Sequence, residues 1–277
     1  MNAVANPNRD YARGLARAFG GAIIFSLPLL MTMEMWSLGL SIHPSRLILF
    51  LLCNLVILVF LSRFGGFEPT LSLFEDILDA FGAYTVGVMT AVLVLVLLGI
   101  FTVDMSIDGM AGMIAVQSVP GSFGAMLARK QLGEGDADTD EDRLARSEGY
   151  GAQLFLMLAG ALFFAFNIAP TEEVILIGFK MSAWHSLALM GVSLLMLHLL
   201  VFAVGFPGQE EKPEGYGTMR VFIACTVPRF GIALLVSLYV LWTFGRLDGT
   251  SFDVLAGSMI VLGFPACIGA AIARLVV

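Results

Sequence analysis

SIDGMAGMIAVQSVPGSFGAMLAR, residues 106–129, is the stretch on which the fold turns. Alone it is ambiguous. It approaches the hydrophobicity of a membrane helix, yet it holds Asp108, Gln117, Ser118, Pro120 and Ser122. Residues 251–274, SFDVLAGSMIVLGFPACIGAAIAR, resolve it. At a constant offset of 145 the two stretches are identical at ten of 24 positions. Matches of Ala, Gly and Val come easily between apolar helices. The matches Ser106/Ser251, Asp108/Asp253, Pro120/Pro265 and Arg129/Arg274 do not. Internal repetition implies one structure for both copies. The second copy is apolar over the roughly 20 residues that a spanning helix needs, so 109–129 is predicted to span as well.

The rest of the chain agrees with a membrane protein. Of 277 residues, 58% are hydrophobic and 13% charged, where a soluble domain carries about 25% charged residues. The mean hydropathy is +0.89. Stretches such as 92–101 are apolar on every side, which excludes the period-2 alternation of a barrel strand. Cys53, Cys225 and Cys267 lie in apolar runs and form neither a disulfide framework nor a CxxC site. The basic start, MNAVANPNRDYARGLARAF, is followed by no A-x-A cleavage pattern and reads as part of the protein.

Hydropathy and the repeat together predict an all-α membrane protein with eight transmembrane helices. They fall near 18–38, 46–62, 83–103, 109–129, 150–168, 184–204, 221–244 and 254–274. The organisation is four plus four. The first repeat is 1–130 and the second 149–277, joined by an acidic linker at 131–148. An even number of spans per half makes this a parallel repeat, with its pseudo-twofold axis along the membrane normal. With both termini cytoplasmic, eleven Lys and Arg residues lie inside, and only Arg46, Lys180 and Arg246 lie outside. That is the asymmetry expected of a plasma (inner) membrane protein. Trp36, Trp184 and Trp242 then all reach the outer interface, where indoles prefer to sit. Residues 70–82 read as a short interfacial helix, with Phe74, Ile77, Leu78 and Phe81 on one face and Glu75, Asp76 and Asp79 on the other.

A few polar residues can carry chemistry. Glu34, in LLMTMEMWSL, reads as lying about four turns into the first span. A carboxylate there is costly unless it meets a polar cavity or stands at headgroup level. Glu172 and Glu173 are its positional counterparts. Thr171 is expected to cap a helix there, whose dipole the two acids complement. Asp108 and Asp253 repeat at the starts of the fourth and eighth spans, each two residues after a serine. Together these acids are expected to form an outer acidic site between the halves that concentrates cations; helix-dipole compensation is the plainer account.

Arg229, beside Pro228, is the one base within a span. If that span starts near Cys225, Arg229 snorkels to the inner surface; if it starts at Val221, Arg229 lies deeper and offers an anion site. His43 and His185, at the outer starts of the second and sixth spans, are pH-sensing candidates. His198 lies deeper and reads as a hydrogen-bonded packing residue. The small-residue pairs Gly121/Ala125, Gly124/Ala128, Ala266/Ala270 and Gly269/Ala273 let the fourth and eighth spans approach neighbours closely.

No metal site, cofactor or nucleic-acid partner is indicated. The three lysines, at 130, 180 and 212, avoid mid-span positions, and there is no P-loop, HExxH or nucleophile elbow. No enzyme is therefore expected. RAFGGAIIFSLPLLMTMEMW, NIAPTEE and AGSMIVLGFPACIGAAIAR resemble a family of uncharacterised bacterial polytopic integral membrane proteins. The resemblance covers most of the chain and implies the membrane class; it supplies no functional residues. The expected function is an ion channel or transporter for cations, or proton-coupled. Its partners are the lipid bilayer and inorganic ions, with a homo-oligomer compatible. The alternatives are an anion pathway at Arg229 and a membrane scaffold or sensor.

Overall fold

Apolar runs in a bilayer must satisfy their own backbone groups, and the helix does so within one segment. The computed structural model describes residues 7–65, 72–102, 104–132, 150–202 and 217–276, and among them it contains helices and no strand. The chain divides into two compact units, Met1–Asp136 and Ala137–Val277. The predicted linker lies almost wholly outside the described residues.

The first unit contains α1 (Pro7–Leu30), α2 (Met33–Ser41), α3 (Pro44–Gly65), α4 (Leu73–Leu97) and α5 (Ile107–Leu132). The second contains α6 (Tyr150–Ile168), α7 (Glu173–Lys180), α8 (Ala183–Phe202), α9 (Thr218–Val221), α10 (Val227–Thr243) and α11 (Phe252–Val276). A single π turn, Phe222–Thr226, joins α9 to α10. Among the described residues, seven helices are long and apolar enough to cross a membrane; the bent pair α6–α7, taken as one span, makes eight.

Two expectations need correction. The first span does not run through 18–38. It stops at Leu30, and α2 starts anew at Met33. Hydropathy missed this break because Met31, Met33 and Met35 keep the stretch apolar across it. Of the predicted interfacial helix 70–82, residues 70 and 71 lie outside the described residues, and 72–82 do not form a separate helix. Ser72 and Glu75 form a reciprocal capping box, and α4 continues from there to Leu97. Phe74, Leu78 and Phe81 face outward, whereas Asp76 is buried and Asp79 accepts a hydrogen bond from Ser62 at 2.7 Å. Of the acidic face, Asp76 and Asp79 pack on protein and Glu75 is exposed.

In each unit the last helix is central. The α5 span is 72% buried against 28% for α3, which is why its polar residues are tolerated. Glycines make the close packing possible. A Cβ on Gly21 (α1) would collide with the Gly124 carbonyl and Ala128 (α5), and one on Gly39 (α2) would meet Met113 backbone at 2.5 Å. In the second unit, Gly160 (α6) abuts Gly269 and Ala273 (α11), and Gly178 (α7) abuts Ser258. The residues on α1, α2, α6 and α7 correspond at an offset of 139, and those on α5 and α11 at 145. The predicted small-residue faces are thus used, against glycines on the neighbouring helices.

Candidate functional site

The carboxylates singled out above all stand at helix starts. α1 ends where Thr32 Oγ1 donates to the Leu29 carbonyl at 2.9 Å and Trp36 Nε1 donates to the Leu30 carbonyl at 2.7 Å. Those bonds satisfy carbonyls that a helix end leaves open. Glu34 follows, half-buried in the first turn of α2 rather than inside α1. In the second unit Thr171 Oγ1 donates to the Ile168 carbonyl at 2.8 Å, and the Arg246 guanidinium donates to the Pro170 carbonyl. The break bends the chain by 92°. Glu172 precedes α7 and Glu173 opens it, both exposed. The expected Thr171 cap is not formed, because its hydroxyl turns back to the preceding helix, and no side chain caps α7.

Asp108 and Asp253 are exposed in the first turns of α5 and α11. Ser106 Oγ accepts from Gly109 N–H at 3.1 Å and Ser251 Oγ from Val254 N–H at 3.5 Å. Both aspartates therefore sit where a helix dipole favours negative charge. His43 pairs through Nδ1 with Ser45 Oγ at 2.8 Å, and His185 Nδ1 with Ser182 Oγ at 2.7 Å; both are exposed. Among the described residues, no group of three or more His, Cys, Asp or Glu side chains converges as a metal would require.

Arg229 is fully buried. It is the twelfth of the 26 residues in the span Thr218–Thr243, and its side chain is enclosed by protein. Its Nη2 lies 3.5 Å from Gln153 Oε1, and its guanidinium stands over the Phe202 ring, 5.1 Å from the centroid. Gln153 is the fourth residue of α6 and Phe202 the last of α8. The cation is therefore level with the ends of those two helices, although it lies well inside its own. The other face of this cluster is His198. Its ring lies 5.4 Å from both Phe202 and Phe222, and its Nδ1 pairs with Thr226 Oγ1 at 2.8 Å. Thr226 and Phe222 both belong to the π turn. Isolated π turns recur at functional sites.

Three more polar side chains are buried in the first unit; Gln117 was noted in the sequence, Asn54 and Thr90 were not. Asn54 (α3), Thr90 (α4) and Gln117 (α5) are each at most 2% exposed inside spans. Asn54 Nδ2 donates to Ser122 Oγ at 3.1 Å. Tyr84 (α4) faces Asn54 and Ser118. The available signal was Asn54 itself, the one polar side chain in the apolar run LLCNLVILVF.

Residues 14–277 match the family model DUF2391, described as integral membrane proteins. The chain belongs to this family. The match covers both units, and the DUF2391 assignment agrees with the multi-pass helical fold. Neither the curated proteins nor the solved structures give a match.

Proposed function

We propose that this integral membrane protein is an ion channel or transporter for cations, or proton-coupled, in the plasma membrane. It is built from two like four-span units with both termini cytoplasmic. The observation that carries the reading is the equivalence of the two helix breaks. Glu34 and Glu173 are separated by 139 residues, as are Thr32 and Thr171 with the carbonyls they bond. In lipid a helix break persists only where protein or a water-lined cavity satisfies the freed backbone, and discontinuous helices build the ion sites of many transporters. Two equivalent carboxylates beside two equivalent breaks fit ion entry from one side.

The shared plan supports the duplication further. Ser72 and Gly217 cap their helices at an offset of 145, whereas the left-handed Gly99 and Gly245 end them at 146. The π turn accommodates the one extra residue. A second reading, an anion pathway, is favoured by Arg229, since a cation buried in a span marks a functional site by default. Reversal potentials of the reconstituted protein in asymmetric potassium chloride separate the two. Displacement toward the potassium equilibrium potential supports the cation reading, and displacement toward that of chloride the anion reading. Absence of current and of isotope flux overturns both.

A further inference from the structure

We infer that Arg246 is the positioning residue of the second helix break. It ties the α6–α7 bend, and with it Glu172 and Glu173, to the turn that follows α10; in the first unit Trp36 fills that role from a different position. The inference deepens the proposed function and rests on that reading only for the use made of the carboxylates.

A helix that stops within a membrane protein leaves carbonyls to be satisfied. At both breaks one is met by the threonine that follows, Thr32 on Leu29 and Thr171 on Ile168. Another is met by a longer side chain, and here the units differ. In the first, Trp36 Nε1 donates to the Leu30 carbonyl from the first turn of α2. In the second, Ile175 stands where the offset of 139 places the equivalent of Trp36, and it has no donor to give. The Arg246 guanidinium reaches the Pro170 carbonyl instead, from 76 residues away in the sequence.

The turn that carries Arg246 is also repeated. After α4, Gly99 is left-handed and the Ile100 N–H bonds the Leu95 carbonyl at 3.0 Å. After α10, Gly245 is left-handed and the Arg246 N–H bonds the Leu241 carbonyl at 2.9 Å. Both are the same glycine-closed helix end, which fixes the residue after the glycine. Ile100 and Trp36 pack together on the cluster that contains Leu30, so both positions adjoin the first break. Each unit thus has two places from which a side chain reaches its break. One holds a donor and the other an isoleucine, and the second unit reverses the first: Trp36 with Ile100, Ile175 with Arg246.

Arginine adds what an indole cannot. Its charge stands at the C-terminal end of α6, where the helix dipole favours a cation. Its Nε is buried and donates to no group among the described residues, so the bond from Nη2 orders the side chain. Glu172 lies two residues past the carbonyl that is held.

Hydrogen exchange of the full chain in nanodiscs tests this. It reads the breaks whether or not the chain passes ions, so the inference and the proposed function fail separately. Arg246→Ile should speed exchange of amides 172–178 by about ten-fold, the effect of a lost charge-assisted hydrogen bond on a local opening. Amides 33–41 should not change. Adding Ile175→Trp should restore most of the protection. The mirror variant Trp36→Phe should speed amides 33–41 by about five-fold, and adding Ile100→Arg should restore them. Rescue by a donor at the reciprocal position is a result that a general loss of packing does not give. Unchanged exchange at 172–178 in Arg246→Ile overturns the inference, as does a rise spread equally over α8 and α11, or no rescue in either unit.

Discussion

Gly21, Gly39, Gly160 and Gly178 leave no space for a methyl group where their helices cross α5 or α11. Without a hydrophobic drive between helices in lipid, such close backbone contact is a main source of their association. Gly124→Ala and Gly269→Ala should each destabilise by about 1–3 kcal/mol, the usual cost of overpacking. Gly191→Ala is the control, because nothing lies within 4 Å of its added methyl. Thermal unfolding in one detergent checks all three; equal melting temperatures would contradict the crossing as described. Phe202 offers a different test. Phe202→Leu keeps bulk but removes the ring face under Arg229 and beside His198. A desolvated cation–ring contact contributes about 2 kcal/mol, so a loss of that order is expected in the same assay. The buried level of Arg229 was not legible from sequence, because two plausible starts for its span placed it differently. The π turn decides its register, and no composition signal marks one extra residue in an apolar run.

At the scale of elements, the long helices were legible wherever hydropathy changes sharply at an end. They were not legible where a break is itself apolar, as at Met31–Thr32, or where a polar first turn belongs to a span, as in α4. The S-L-F-E capping signature at 72–75 was the available signal for the latter. Ser72→Ala should cost about 1 kcal/mol, typical of a lost N-cap, and should increase amide exchange in the first turn of α4 without affecting α3. The π turn is expected to tolerate a change of length that a regular helix does not. Deleting Ala224, exposed within the turn, removes the extra residue and leaves Arg229 on its face. Deleting Leu235, exposed within α10, rotates half of a buried face by about 100°. The first variant should remain folded with a modestly lower melting temperature and the second should not fold, as read by size-exclusion profile and melting.

Over the whole molecule, the internal repeat read at 106–129 and 251–274 pointed to the helices that prove central to each unit. Their crossings explain why those residues repeat. Asp108 and Asp253 close helix starts, and Gly124 and Gly269 meet glycines. The carboxylates were legible as positions, and so was the helix start at Thr171–Glu173; the break before Glu34 was not, since it is marked by bonds from the Thr32 and Trp36 side chains to helix-end carbonyls rather than by composition. The proposed topology has its own check. A cysteine at Glu173 should react with an impermeant maleimide added outside intact cells, and one at Arg13 only after permeabilisation; the reverse pattern would contradict it.

The central claim is that carboxylates at the two equivalent breaks serve ion passage. Cation flux into proteoliposomes, compared for the unaltered chain, Glu34→Gln, Glu173→Gln and the double variant at matched protein incorporation, tests it most directly. Flux in the unaltered chain that falls at least ten-fold in the double variant, with each single variant in between, is the expected result. Equal flux in all four, or none in the unaltered chain, would contradict the account.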